Sequence, residues 1–107
     1  MKPTEKLKAK KEQILQMINK YEKKGIYNVQ IFGSVALNKD KEQSDLDLVF
    51  NIAVDKFNYN DYVFFNQELE SLLELKVDLF PRIELKNYIL EDLDKYSILF
   101  KDFIVSL

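Results

Sequence analysis

Apolar residues recur at helical spacing over residues 4–24, where Leu7, Ile14, Leu15, Ile18 and Tyr21 share one face and lysines and glutamines occupy the other. Thr4 is placed to cap this helix, Lys23 and Lys24 suit the negative end of its dipole, and Gly25 stands where a left-handed residue closes a helix. Residues 28–33 (Asn-Val-Gln-Ile-Phe-Gly) read as a short strand ending at Gly33. Ser-Val-Ala-Leu then predicts a single helical turn, followed by the polar loop Asn-Lys-Asp-Lys-Glu-Gln-Ser. From Asp45 to Ile52 the pattern alternates: Leu46, Leu48 and Phe50 on one face, Asp45, Asp47, Val49 and Asn51 on the other. That is a strand with one apolar face and one that turns polar at its start.

Asn60 or Asp61 can cap a second long helix through about Leu75, with Tyr62, Phe65, Leu69, Leu72 and Leu73 as its buried stripe. Lys76–Phe80 predicts a third strand closed by Pro81, and Ile83–Tyr96 a third helix with Leu85, Tyr88, Ile89 and Leu93 on one side. Ser97–Phe100 reads as a last short strand or turn, and the apolar tail Phe103–Leu107 as packing back on the core. No repeat or linker interrupts this order, which predicts an α+β fold: one domain over residues 1–107, a small mixed β-sheet covered by helices.

Composition narrows the chemistry. The chain has no cysteine and no histidine, which removes disulfides, thiolate nucleophiles, histidine triads and Cys/His metal sites together. Catalysis must then run on carboxylates, hydroxyls, lysine, the single Arg82 or a bound ion. A net charge of −2 gives no reason to expect specific or tight nucleic-acid binding. The charge is uneven, with eight lysines against three glutamates in residues 1–24, a pattern that a solvated helix face explains. No apolar run is long enough to span a bilayer and no signal-peptide pattern opens the chain, so no membrane contact is expected and the expected compartment is the cytoplasm.

One constellation stands out: Gly33-Ser34, ten intervening residues, then Asp45-Leu46-Asp47. A glycine at a strand end lets the backbone approach a ligand closely, and a serine with the free N–H groups of the next turn suits phosphate oxygens. Aspartates at i and i+2 of a strand share a face, about 6.6 Å apart at ~3.3 Å per residue, and can converge on a hard cation such as Mg²⁺. Asp78, in the strand Lys-Val-Asp-Leu-Phe, could supply a third carboxylate to a two-metal site of the kind that brackets in-line displacement at phosphorus. With no histidine present it is also the best candidate to take a proton from an attacking hydroxyl. Either motif alone is commonplace, but two charges near a core are costly unless paired or metal-bound, and a third interrupts another apolar strand.

Phe32-Gly33-Ser34-Val35-Ala36 followed by Ser44-Asp45-Leu46-Asp47-Leu48-Val49 resembles the signature of the polymerase-beta-like nucleotidyltransferase superfamily. Size and element order, with Val77-Asp78-Leu79 and the ending from Ile89-Leu90-Glu91 to Ile98-Leu99-Phe100, resemble its smallest branch, the minimal nucleotidyltransferases (MNT). The resemblance implies two Mg²⁺ ions, ATP as donor, and transfer of a nucleoside monophosphate to a hydroxyl with loss of pyrophosphate. It implies Gly33 and Ser34 as holders of the β- and γ-phosphates, Asp45, Asp47 and Asp78 as metal ligands, and Asp78 as the group assisting deprotonation. Many MNT proteins are antitoxins encoded beside a HEPN-domain RNase toxin, and several transfer AMP to a toxin tyrosine. A HEPN-type toxin is therefore the implied partner and acceptor, in a hetero-complex or alongside a homo-oligomer.

The chain departs from the family pattern after the Gly-Ser pair, where Val35, Leu37 and Asn38 stand in place of the usual arginine or glycine. Lys39 and Lys41 are nearby cations, but both read more simply as solvated loop lysines. Arg82 is another phosphate candidate, and the aromatic group Phe57, Tyr59, Tyr62, Phe64 and Phe65 reads mainly as core. Two alternatives remain: an inactive MNT module that neutralises its partner by binding alone, and a small-molecule nucleotidyltransferase, which usually carries an extra helical domain.

Overall fold

The computed structural model describes residues 1–107. The elements run α1 (Pro3–Ala9), α2 (Lys11–Glu22), β1 (Ile26–Phe32), α3 (Gly33–Ala36), β2 (Leu46–Ile52), α4 (Tyr59–Leu73), β3 (Val77–Pro81), a 3₁₀ turn (Arg82–Glu84), α5 (Asn87–Tyr96), β4 (Ile98–Leu99) and α6 (Phe100–Ser106). The four strands form one mixed sheet in the order β3-β2-β1-β4, with β2 and β3 parallel and β1 antiparallel to both its neighbours. This is the expected α+β architecture.

One face of the sheet carries the main core. Leu46, Leu48 and Phe50 of β2 are fully buried there, as the alternation predicts. Ile14, Ile18 and Tyr21 of α2, Phe65, Leu69 and Leu73 of α4, and Phe100 and Ile104 of α6 complete it. Tyr21 stacks on Phe65 with ring centroids 4.5 Å apart, while its hydroxyl donates to Glu68, so burial and that carboxylate push the phenol well above its usual range. Of the aromatic group of the α4 region, Phe65, Phe57 and Tyr62 pack on this side, whereas Tyr59 and Phe64 are exposed. Tyr62 lies 5.2 Å from Phe50 and donates to the Leu79 carbonyl at 2.7 Å, which makes it a core residue with a satisfied hydroxyl.

Several boundaries differ from expectation, each for a tertiary reason. The predicted 4–24 helix breaks at Lys10 (φ −120°, ψ 24°) although no glycine or proline stands there. The break lets α1 reach elsewhere: Thr4, rather than capping, donates its N–H and hydroxyl to Asp40 at 3.0 and 3.1 Å, and Lys6 donates to the Glu74 carbonyl. Asn58, not Asn60 or Asp61, caps α4, accepting from the Asn60 N–H at 2.8 Å. The predicted third helix splits into the 3₁₀ turn and α5, and of its expected stripe only Leu93 is buried. Asp40 is the buried carboxylate of the loop (7% exposed) and ties it to α1. Asp40→Ala orphans the Thr4 donors and should lower unfolding stability by about 1–2 kcal/mol in urea titration.

Candidate active site

The opposite face of the sheet carries the charges. In the parallel β2–β3 ladder Asp47 pairs directly with Asp78, and in the antiparallel β1–β2 ladder Asp47 pairs with Phe32. Partners across a ladder share a face. Asp47, Asp78 and the last residue before the Gly33-Ser34 turn are therefore neighbours by register alone. Asp45 lies two residues before Asp47, just ahead of β2, and so points to the same side.

The Gly33-Ser34 turn meets this cluster directly. Gly33 adopts φ +77°, and a Cβ built on it would lie 2.5 Å from Asp47 Oδ2. Only a residue without a side chain lets the turn sit against that carboxylate. Ser34 follows in the short α3, half-buried, and its carbonyl accepts from the Lys39 N–H at 2.8 Å, which folds the loop back over the turn. Lys39 and Lys41 are exposed loop residues.

Electrostatics single out Asp47. Its carboxyl is pushed up from 3.8 to about 6, first by burial, then by the negative charges of Asp78 and Asp45. One cation answers them, and it was not singled out in the sequence. Lys76 Nζ stands 3.7 Å from Asp78 and 3.9 Å from Asp45. Its signal was the Lys-x-Asp spacing, which puts Lys76 and Asp78 on one face of the chain. The pairs are long and Lys76 is mostly exposed, so they compensate the cluster weakly. No group of three acidic side chains is closed around a single point as metal ligands would be.

Beyond the acids the same face meets the 3₁₀ turn that leads into α5. Gln30 pairs with Val49, one step along the ladder from Phe32 and Asp47, and Arg82 donates to Gln30 Oε1 at 3.4 Å. Arg82 also holds Asp94 of α5. Val49 and Leu93 are buried outside the main core cluster, consistent with α5 shielding the middle of this face. Arg82 thus lies on the acidic side of the sheet, whereas the aromatic group around Tyr62 does not.

The family model of the nucleotidyltransferase domain matches residues 10–105. The chain belongs to the nucleotidyltransferase family. It is similar to a minimal nucleotidyltransferase of solved structure, at 30% identity and a TM-score of 0.75, over 92% of this chain and 95% of the other. The fold is shared with a toxin–antitoxin complex with AMP-PNP (19% identity, TM-score 0.66, 90% of this chain and 84% of that one). It is also shared with a complex of tri-AMPylated Shewanella oneidensis HEPN toxin and MNT antitoxin (17% identity, TM-score 0.60, 94% and 84%). No curated protein matches the sequence. No helix is long and apolar enough to cross a membrane.

In this nucleotidyltransferase the carboxylate cluster destabilises the fold when fully ionised. Because the folded-state value for Asp47 lies above the ordinary 3.8, its contribution to stability is greatest at low pH and is lost as pH rises through about 6. Asp47→Asn should therefore raise stability at pH 7.5 in chelator by about 1 kcal/mol, allowing for solvent screening, and by nothing measurable near pH 4. Urea midpoints of both proteins at the two pH values measure it, and an equal shift at both would contradict the electrostatic cause.

Proposed function

We propose that this protein is an Mg²⁺-dependent adenylyltransferase that moves AMP from ATP to a tyrosine hydroxyl of a HEPN-type toxin, and so acts as its antitoxin. The observation that carries the reading is the convergence of Asp45, Asp47 and Asp78 on one sheet face, with Asp47 against the Gly33 backbone. An all-oxygen donor set of three carboxylates fits Mg²⁺, and the raised value of Asp47 marks a site that gains from a cation. Asp45, Asp47 and Asp78 would hold two such ions, which when bound supply charge stabilisation at phosphorus and acidify the acceptor hydroxyl.

The residues divide the remaining work. Gly33 N–H and Ser34 hold the β- and γ-phosphates and orient the leaving pyrophosphate in line. The acceptor oxygen forms a bond to the α-phosphorus, the bond to the bridging β-phosphate oxygen breaks, and Asp78 takes the hydroxyl proton. Support for a polypeptide acceptor comes from the fold shared with the complex of tri-AMPylated HEPN toxin and MNT antitoxin.

A second reading has one observation in its favour. Lys76 pairs with Asp45 and Asp78, and no three carboxylates close on a single point, as in a module that only binds its partner. Mass spectrometry of the neighbouring HEPN-type protein after incubation with this chain, ATP and Mg²⁺ separates the two. The transferase reading expects addition of AMP mass to a tyrosine, lost in the Asp45→Asn/Asp47→Asn variant. A tight complex with no adduct under any nucleotide or metal would sink it.

A further inference from the structure

The acid-bearing face continues into a cavity of about 570 Å³ between the sheet and the segment that leads into α5. Its position follows from register. Asn51 lies four residues along β2 from Asp47 on the same face, about 13 Å away at ~3.3 Å per residue. Tyr27 stands directly opposite Asn51 on β1, and both line the cavity with Arg82, Leu85, Asn87 and Leu90. Arg82 sits between the cavity and the acids, because the Gln30 to which it donates pairs with Val49, midway between Asp47 and Asn51.

The lining has a particular chemistry. Leu85 and Leu90 give apolar walls, and Tyr27, 41% exposed, offers an aromatic face. The carboxamides of Asn51 and Asn87 line the space without side-chain partners in the fold. A carboxamide presents a donor and an acceptor side by side, the pattern that pairs with the amino and ring-nitrogen edge of adenine. A guanidinium on the side nearest the acids suits the phosphate end of the same ligand. Apolar and aromatic walls with a few polar groups that fix orientation are the usual make-up of a small-molecule pocket.

We propose that this cavity is the nucleoside site of the donor nucleotide, with Asn51 and Asn87 reading a purine base, Tyr27 against its ring, and Arg82 on its phosphate side. This rests on the transferase reading above and extends it to the base. It also gives the triphosphate a cationic contact in a chain that lacks the arginine after Ser34. An acceptor side chain is the competing occupant, but a tyrosine has no edge for two carboxamides to read.

Calorimetry of the full chain with Mg·ATP and with Mg·tripolyphosphate tests it, using wild type, Asn51→Leu and Leu90→Trp. Tripolyphosphate can reach the acids, the Gly33-Ser34 turn and Arg82, but has no base for Asn51 and Asn87 to read. The expected result is that both variants weaken Mg·ATP by about tenfold or more while tripolyphosphate affinity stays within about twofold. Adenosine should displace Mg·ATP better than cytidine does. Unchanged ATP affinity in Asn51→Leu overturns the proposal, as does equal loss of both ligands. Normal ATP binding with loss of transfer to the partner would hand the cavity to the acceptor, and overturns it too. Wild type binding neither ligand would instead bring down the transferase reading itself. If Leu90→Trp fails to fold, as circular dichroism would show, Asn51→Leu decides.

Discussion

Asp47→Asn is expected to lower AMP transfer to the partner protein by about 10³-fold or more, the scale of several kcal/mol of charge stabilisation at phosphorus. Asp47 is the middle of the cluster: it faces Asp78 across the β2–β3 ladder, follows Asp45 by two residues, and touches the Gly33 turn. Replacing its charge removes the one carboxylate that adjoins both the other acids and the Gly33-Ser34 turn. The same substitution relieves repulsion, so loss of activity should accompany a gain in metal-free stability. That opposition separates a chemical role from a structural one. Added Mg²⁺ should raise the melting temperature of the wild type and leave that of Asp47→Asn nearly unchanged. Transfer by the variant within about tenfold of wild type would remove Asp47 from the machinery.

Gly33→Ala is expected to cost far more activity than stability. At φ +77° an alanine pays the left-handed penalty of an L-residue, about 1–2 kcal/mol. The new methyl would also meet Asp47 Oδ2, 2.5 Å from the built Cβ, and the end of a flexible carboxylate can swing away. The fold therefore survives while Asp47 moves off its position. A displacement of that order in a positioned group corresponds to roughly 10²-fold in rate. Steady-state transfer and urea unfolding of the same preparation read the two effects side by side. Wild-type rates in a folded Gly33→Ala protein would show that the close approach of turn and carboxylate has no function.

Legibility differed from element to element, and the differences have physical causes. Alternation in 45–52 predicted which side of β2 is buried, because a period-two pattern admits one face assignment once a core exists. The break at Lys10 was invisible, since no local residue forces it. It arises because Asp40 and the Glu74 carbonyl hold α1 from other parts of the chain. The third helix was overread for a similar reason. Leu85, Tyr88 and Ile89 have helical spacing, yet only Leu93 finds cover, and the 3₁₀ turn after Pro81 changes the direction of the chain. Asp45, Asp47, Asp78, Gly33 and Ser34 were readable as a set from spacing and residue type. The placement of Arg82 was not, because a lone arginine has no periodicity to betray its neighbours.

By itself the sequence determined the residue chemistry of this protein. The absence of histidine and cysteine left carboxylates, hydroxyls, lysine and Arg82 as the available groups, and the spacing of Gly33, Asp45 and Asp47 placed these three at the ends of strands. Only the tertiary structure decided that Asp78 pairs with Asp47, that Gly33 lies against its carboxylate, and that Lys76 and Arg82 stand on that side of the sheet. The reason is that a strand's sequence sets which side each residue faces, whereas its neighbour and register are set by packing among segments far apart in the chain.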